Sequence, residues 1–371
     1  MGDGAFGNFK FFLINMSIMS ESKDLCKLDR QLNLVKKIVI VDGMIGGGKN
    51  LLTSIVSSLP NVEMWIHRPQ IEQICALFHL GHISLDASKT LINTWLEEEI
   101  LNLNMSRNIN FKPSDISSVF CDVKPSRYFK RLFQSPVKAK ESIEKNMPIL
   151  NIMTHVNTSY ARPLFEALAE RLTYIRVSRH PMTTNMLMHN KKWTERWGSD
   201  DRHSYILYKT FDGNGNLISL PFFAKDIEKL YLNSNTTDRS ILLYDYWIRN
   251  GDTFIDNFKK SNKWDIIEIP YEKFVSNPHS YILKIAESLG VKPDNKTKKM
   301  MRKQKVPRSS LAEESNVGQL RKKSKSIKKN FSLHDVCAQG RAYAAETASP
   351  RALYILDQLS DHYEKRHQIK K

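Results

Sequence analysis

The sequence predicts an α/β protein with a mainly parallel sheet flanked by helices, on three observations. Apolar runs of strand length alternate with helical patterns along most of the chain, as crossover-connected parallel strands require. The run Ile38-Val39-Ile40-Val41 opens onto a glycine-dense turn, Gly43-Met44-Ile45-Gly46-Gly47-Gly48-Lys49. That turn opens in its turn onto Leu51-Leu52-Thr53-Ser54-Ile55-Val56, a helical stretch. Strand, glycine loop and helix in this order hold a phosphate, which narrows the class to a three-layer, P-loop-type sheet with an inserted helical region.

Ahead of this unit, residues 1–33 read as a loosely attached leader. Phe11-Phe12-Leu13-Ile14 is too short and too poorly flanked for a signal peptide. Residues 34–371 read as one domain, with 41% hydrophobic residues in the whole chain to build its core. A second strand is expected at Val62-Glu63-Met64-Trp65-Ile66. Residues 69–145 are helical in pattern, with polar breaks at Lys112-Pro113-Ser114 and Lys124-Pro125-Ser126. They are long for a simple crossover and read as a helical insertion beside the sheet. A third strand lies within residues 147–156 and ends in Thr154-His155, and a helix follows at about residues 160–170. A fourth, Leu172-Thr173-Tyr174-Ile175-Arg176-Val177, runs into Ser178-Arg179-His180-Pro181, where the proline stops it. Residues 238–258 read as helix and residues 264–269 as strand. The segment from Pro270 to Pro278 then leads to a helix at 279–289, ended by Gly290 as a C-cap. Residues 350–367 place Leu353, Leu356, Leu359 and Tyr363 at helical spacing and read as a packing helix.

Composition limits the function. Cys26, Cys75, Cys121 and Cys337 are widely spaced, show no metal-ligand pattern and read as reduced thiols of a cytoplasmic protein. No apolar run reaches the length of about 18 residues that a membrane-spanning helix needs. The net charge of +17 is uneven: residues 292–329 carry fourteen Lys or Arg against three acidic residues. Such a segment suits a polyanionic small ligand or a nucleic acid. Its shortage of aromatics argues against stacked single-stranded nucleic acid.

The chemistry starts at the loop. Gly43, Gly48 and Lys49 satisfy G-x-x-x-x-G-K. Glycines let backbone N–H groups point into the loop, the helix start adds positive potential, and Lys49 adds a full charge. The next position of the motif, where a Ser or Thr hydroxyl ligates magnesium, is Asn50, a poorer and bulkier ligand for that ion. The cradle therefore suits a group transfer that needs no metal. His155 and Arg179 stand at strand ends, on the carboxyl edge where open α/β sheets bind ligands. An imidazole titrating near neutrality can take a proton from an acceptor hydroxyl, and a guanidinium can clamp a phosphate.

In order and spacing these motifs resemble those of the sulfotransferase family, which uses 3′-phosphoadenosine-5′-phosphosulfate (PAPS). Gly46-Gly47-Gly48-Lys49 stands for the family's phosphate loop, and Met153-Thr154-His155 for its Lys-Thr-His strand end. Arg179-His180-Pro181 stands for its Arg-x-Pro turn, and Tyr271-Glu272-Lys273-Phe274 through Asn277-Pro278 to Leu289-Gly290 for its Tyr-Glu segment. Leu320-Arg321-Lys322-Lys323 and Ile327-Lys328-Lys329-Asn330-Phe331-Ser332 are similar to its Arg-Lys-Gly and Trp-Lys-x-x-Phe-Thr stretches. The resemblance implies PAPS as co-substrate and no metal. It implies Gly46, Gly47, Gly48, Lys49 and Asn50 at the 5′-phosphate, Arg179 at the 3′-phosphate, and Arg321 and Lys322 in a basic lid over residues 292–330. It implies catalytic roles for His155 as base and for Lys49 at the charge on the bridging oxygen. The chain departs from the family at Met153, Ile45, Lys323 and Ile327, and at Leu187, where a serine eight residues after the arginine touches the 3′-phosphate.

The expected activity is sulfuryl transfer to a hydroxyl or amine of a small-molecule or glycan acceptor, whose pocket is expected from residues 69–145 and 191–226. The sequence leaves two other classes open. An ATP- and magnesium-dependent kinase of a small metabolite or nucleoside draws on the loop and on Ile241-Leu242-Leu243-Tyr244-Asp245 as an acidic strand end, against Asn50 and against residues 238–258, which read better as helix. A nucleic-acid-binding protein draws on charge alone.

Overall fold

The computed structural model describes residues 27–190, 193–196, 205–261, 263–309 and 332–369. The loop strand is β1 (Ile38–Gly43) and its helix α1 (Lys49–Ser57). Then come β2 (Ile66–His67), the helices α2 (Pro69–His79), α3 (Leu85–Asn104), α4 (Pro125–Arg131) and α5 (Pro136–Asn146), and β3 (Leu150–Met153). The chain continues through α6 (Arg162–Leu168), β4 (Leu172–Ser178) and α7 (Pro181–Asn190). A hairpin, β5 (Leu207–Phe211) with β6 (Leu217–Pro221), precedes the long helix α8 (Thr236–Lys260). Last come β7 (Asp265–Pro270), α9 (Tyr271–Ser276), α10 (His279–Ser288), α11 (Asn295–Lys303), α12 (Leu333–Ala345) and α13 (Pro350–His367).

Five strands form one parallel sheet in the order β2-β3-β1-β4-β7. β1 is central and wholly buried, as its unbroken apolar run demands of a strand covered on both faces. The period-two alternation of the strands divides the core into two layers. Ile38, Ile40, Leu150, Ile152, Leu172 and Tyr174 face the side packed by Ile71, Leu96, Phe165 and Trp247 from α2, α3, α6 and α8. Val39, Val41, Ile175, Val177, Ile267 and Ile269 face the side packed by Leu52, Ile55, Ile282 and Ile285 from α1 and α10. The three-layer α/β class is the one the sequence predicts.

One element differs from the sequence reading. The strand expected at residues 62–66 reduces to a single bridge, Val62 to Ile149, and the two residues of β2. The cause is Glu63, fully buried, which pairs with Arg127 at 3.1 Å and Arg131 at 2.8 Å and accepts from the Tyr128 hydroxyl. Burial alone would raise its pKa, but the two arginines hold it below the usual range, and the pairing ties α4 to the sheet edge. The expected leader is fastened from its end: Asn33, Leu34 and Val35 donate backbone N–H to Glu97 of α3, and Asn93 donates to the Arg30 carbonyl. Residues 1–26 lie outside the described residues. The helix read at residues 238–258 is α8, whose Asn235 cap accepts from the Asp238 N–H, so Ile241 to Asp245 is not the acidic strand end that the kinase alternative needs.

A buried charge network ties the far side of the sheet to the C-terminus. Arg176 of β4 bonds Asp252 of α8 and lies 3.7 Å from Glu268 of β7. Arg366 of α13 reaches the same Glu268 at 3.0 Å and pairs with Asp256. Gly251 leaves the needed room, since a Cβ there would sit 2.8 Å from Arg176. Burial would raise the Glu268 pKa, but Arg366, Lys259 and Arg176 pull it down to about 2. A depressed carboxylate stabilises the fold above its unfolded pKa and loses that contribution as pH falls through the folded one. Glu268→Gln is expected to cost roughly 2–3 kcal/mol at pH 7 by urea denaturation. That gap should narrow steadily below about pH 4.5, the ordinary glutamate value.

Candidate active site

The strand order reverses about β1, whose successors β2 and β3 lie on one side while β4 and β7 lie on the other. Sheets of this kind bind ligands in the crevice outside the strand ends at such a reversal. The glycine loop begins there, and two of its glycines are forced by close approach. A Cβ on Gly43, at φ 153°, would lie 2.0 Å from the Val177 carbonyl oxygen of β4. One on Gly48, at φ 96° on the start of α1, would lie 2.3 Å from the Tyr271 ring. Among the described residues, the N–H groups of Gly48, Lys49 and Asn50 donate to no protein acceptor. Lys49 itself folds back and donates to the carbonyls of Gly43 at 2.9 Å and Met44 at 2.7 Å. Burial lowers its pKa to about 8, against the opposing pull of Asp42 and Glu72. A lysine so placed gains from an anion in the loop. Asn50 is exposed.

Asp42, the last residue before the loop and fully buried, fixes the neighbouring strand end. Its carboxylate accepts from the Thr154 hydroxyl at 2.8 Å, from the N–H groups of Asn157 at 3.0 Å and Thr158 at 2.8 Å, and from the Thr158 hydroxyl. The Val156 N–H donates to the Gly43 carbonyl at 3.0 Å. His155 is thereby set against the mouth of the loop. Its backbone N–H donates to Glu72 Oε1 at 2.8 Å, and its Nδ1 lies 3.3 Å from the same oxygen and 3.1 Å from His67 Nε2. Its Nε2 makes no hydrogen bond among the described residues. Burial and then the charge of Lys49 lower the His155 pKa, against Glu72, so the ring is neutral at neutral pH. Burial would raise Glu72, yet hydrogen bonds from His155 and His67 bring it down to about 2.

Arg179 stands on the other side of the loop. It donates to the Gly46 carbonyl at 3.2 Å, and its guanidinium lies 4.4 Å from the centre of the Tyr271 ring. Its Nε is buried with no protein partner among the described residues. Tyr271 also receives Arg308, which donates to its hydroxyl at 2.7 Å. Glu272 braces this corner, accepting from the His180 N–H at 3.0 Å and from the Tyr363 hydroxyl at 2.6 Å. Leu187 packs toward the loop, with its Cδ1 3.2 Å from where a Gly46 Cβ would be, in the place where the resemblance calls for a serine.

A narrow cleft, with an interior volume of only about 10 Å³, adjoins the loop. Its walls are Ile45, Tyr160, Tyr205, Phe222, Phe223 and Trp247, with Glu72 and His155 supplying the polar groups. Glu72 comes from the stretch 69–145, and Tyr205, Phe222 and Phe223 come from 191–226, the two regions expected to shape a pocket. The structure thus gathers Gly46, Gly47, Gly48, Lys49, His155 and Arg179 around one crevice. Arg321 and Lys322, with most of the basic lid, lie outside the described residues. Sequence reasoning missed Asp42, Glu72, His67 and Arg308 as site residues. Asp42 carries a readable signal, a carboxylate ending an otherwise apolar strand; the others meet only through the fold.

These features define a three-layer, parallel α/β fold with a glycine loop at the strand reversal and a histidine beside it. No family model matches the chain, and no curated protein does. Among solved structures, the chain is similar to the sulfotransferase domain of the Synechococcus PCC 7002 olefin synthase, at 12% identity and TM-score 0.43, over 92% of this chain and 98% of that one. It is also similar to the sulfotransferase domain from the curacin biosynthetic pathway, at 11% identity and TM-score 0.37, over 72% and 77%. A sulfotransferase of Mycobacterium tuberculosis H37Rv is similar at 12% identity and TM-score 0.35, over 80% of each chain. Likeness at these values carries no argument about activity, which has to come from the residues.

If the loop holds the nucleotide that the resemblance implies, Gly48→Ala should abolish binding of 3′-phosphoadenosine 5′-phosphate in a calorimetric titration while the protein stays folded by circular dichroism. An unchanged Kd would show that the loop does not hold the ligand. Lys49 supplies a second measurement. With its pKa at about 8, an anion that restores its charge should draw in roughly half a proton per ligand at pH 8. Titrations in buffers of different ionisation enthalpy read that uptake, and Lys49→Met should remove it.

Proposed function

We propose that this protein transfers the sulfuryl group of PAPS to a hydroxyl or amine acceptor. The observation that carries the reading is the juxtaposition of the N–H-lined loop and the His155 imidazole on adjacent strand ends, at one wall of the cleft. Sulfuryl transfer is an in-line displacement with charge building on the leaving oxygen, so positioned donors and a base supply most of the catalysis. The free N–H groups of Gly48, Lys49 and Asn50, with the Lys49 ammonium, hold the 5′-phosphate and meet the charge on the oxygen that bridges to sulfur. The unpartnered Nε and the guanidinium face of Arg179 supply donors for the 3′-phosphate, and Arg321 and Lys322 are assigned to the lid by resemblance alone.

His155 takes the acceptor's proton on Nε2 as the new bond to sulfur forms and the bond from sulfur to the nucleotide oxygen breaks. Glu72 holds the Nδ1 side of the ring and leaves Nε2 as the basic atom. The products are the sulfated acceptor and 3′-phosphoadenosine 5′-phosphate. The aromatic side chains beside His155 offer apolar surface to an acceptor that presents its hydroxyl or amine to that ring.

Calorimetric titration with 3′-phosphoadenosine 5′-phosphate, run beside ATP with Mg²⁺ at fixed salt, tests the nucleotide. Tight, metal-independent binding of the bisphosphate with weak ATP binding is expected; magnesium-dependent ATP binding without a 3′-phosphate preference contradicts the reading. His155→Ala should keep that affinity and lower turnover by roughly 10²–10⁴-fold, the range of a general base.

A further inference from the structure

We propose that His67, Glu72 and His155 form a binding site for one zinc-class divalent cation, and that filling it silences His155 as a base. The three donors come from the end of β2, the first turn of α2 and the end of β3, so no sequence spacing announces them. His67 Nε2 lies 3.2 Å from Glu72 Oε1 and 3.1 Å from His155 Nδ1, and the third edge of the triangle is 3.3 Å. A tetrahedral zinc ion with bonds of about 2.0–2.1 Å spaces its nitrogen and oxygen ligands about 3.3–3.4 Å apart. The triangle is a tetrahedral face to within a few tenths of an ångström.

Hydrogen bonding alone fits this cluster poorly. Glu72 Oε1 faces three nitrogens at once: the His155 N–H, His155 Nδ1 and His67 Nε2. With both rings donating, that oxygen serves three donors; with one ring donating, the other ring's lone pair faces the carboxylate. If both rings donate to it, their two protons crowd each other across the 3.1 Å gap. A cation replaces both ring protons and uses every lone pair, while the His155 N–H still orients the carboxylate, as outer hydrogen bonds do at metal sites. Two imidazoles and a carboxylate suit zinc and its transition-metal neighbours rather than magnesium or calcium. They leave a fourth position for water or ligand. Side-chain exposure rises from 11% at Glu72 through 26% at His155 to 36% at His67, which gives the ion a path in. Lys49 opposes a cation here, but Asp42 and Glu72 set two carboxylates against its one ammonium.

The consequence for His155 follows from its two nitrogens. A neutral imidazole that gives the Nδ1 lone pair to a metal carries its proton on Nε2, the atom that has to accept the acceptor's proton. Cation and base use of His155 exclude each other.

The test uses the full chain, stripped by chelator and without nucleotide, so its outcome is separate from that of the sulfuryl-transfer reading. Zn²⁺ is titrated by calorimetry, and Co²⁺ is followed by visible absorption. One ion per chain is expected, with the intense absorption of tetrahedral cobalt. His67→Ala and His67→Gln should each weaken binding at least as much as the roughly 10–100-fold that even an outer-shell loss causes. Circular dichroism of both variants confirms that they fold. Absence of binding, binding that neither substitution weakens, or the faint spectrum of octahedral cobalt overturns the proposal.

Discussion

The buried carboxylate of Asp42 organises the site. It ends the central strand, where the chain has already committed to a sheet covered on both faces, and it has no solvent to serve it. The turn after β3 serves it from Thr154, Asn157 and Thr158. A charged acceptor served by backbone N–H groups and hydroxyls is among the stronger hydrogen-bonded arrangements a protein can bury, and leaving it unserved would cost several kcal/mol. The turn therefore has little freedom, and His155, inside it, is held at the loop. The glycine loop and the histidine beside it share one anchor.

The opposite wall depends on Tyr271. Its ring fills the space that a side chain at position 48 would need, so the loop's glycine and the aromatic residue are requirements of each other. Arg179 lies against the ring and Arg308 bonds its hydroxyl. Two guanidiniums are thus kept at the crevice without a carboxylate directly neutralising Arg179 among the described residues. In a chain of net charge +17 this is one place where positive charge is concentrated by structure rather than spread over the surface.

The fold was legible wherever the determinant was local. The apolar run 38–41, the glycine loop, Pro181 after Arg179, Gly290 after the α10 helix and the leucine spacing of residues 350–367 each state a structural need in adjacent residues. The strand at 62–66 was misread because Glu63 looks like a solvent-facing residue in an alternating pattern. Its partners Arg127 and Arg131 lie more than sixty positions away. The same limit hid half of the site. His155 and Lys49 stand in local motifs, but Glu72 and His67 acquire a role only when β2, α2 and β3 are brought together. Spacing rules find metal ligands on one helix or one knuckle, and these three span residues 67 to 155.

One imidazole then carries two possible histories, as a base beside a phosphate loop or as a ligand beside a second histidine, and the activity decides the first. The most direct measurement is transfer of radiolabelled sulfuryl from PAPS to a panel of phenolic, alcoholic and amine acceptors, in chelator-treated buffer, alongside labelled ATP with Mg²⁺. Label appearing on an acceptor from PAPS, without added metal and without phosphoryl transfer from ATP, is the predicted result. Phosphoryl transfer from ATP with no sulfuryl transfer from PAPS to any of them would contradict the account.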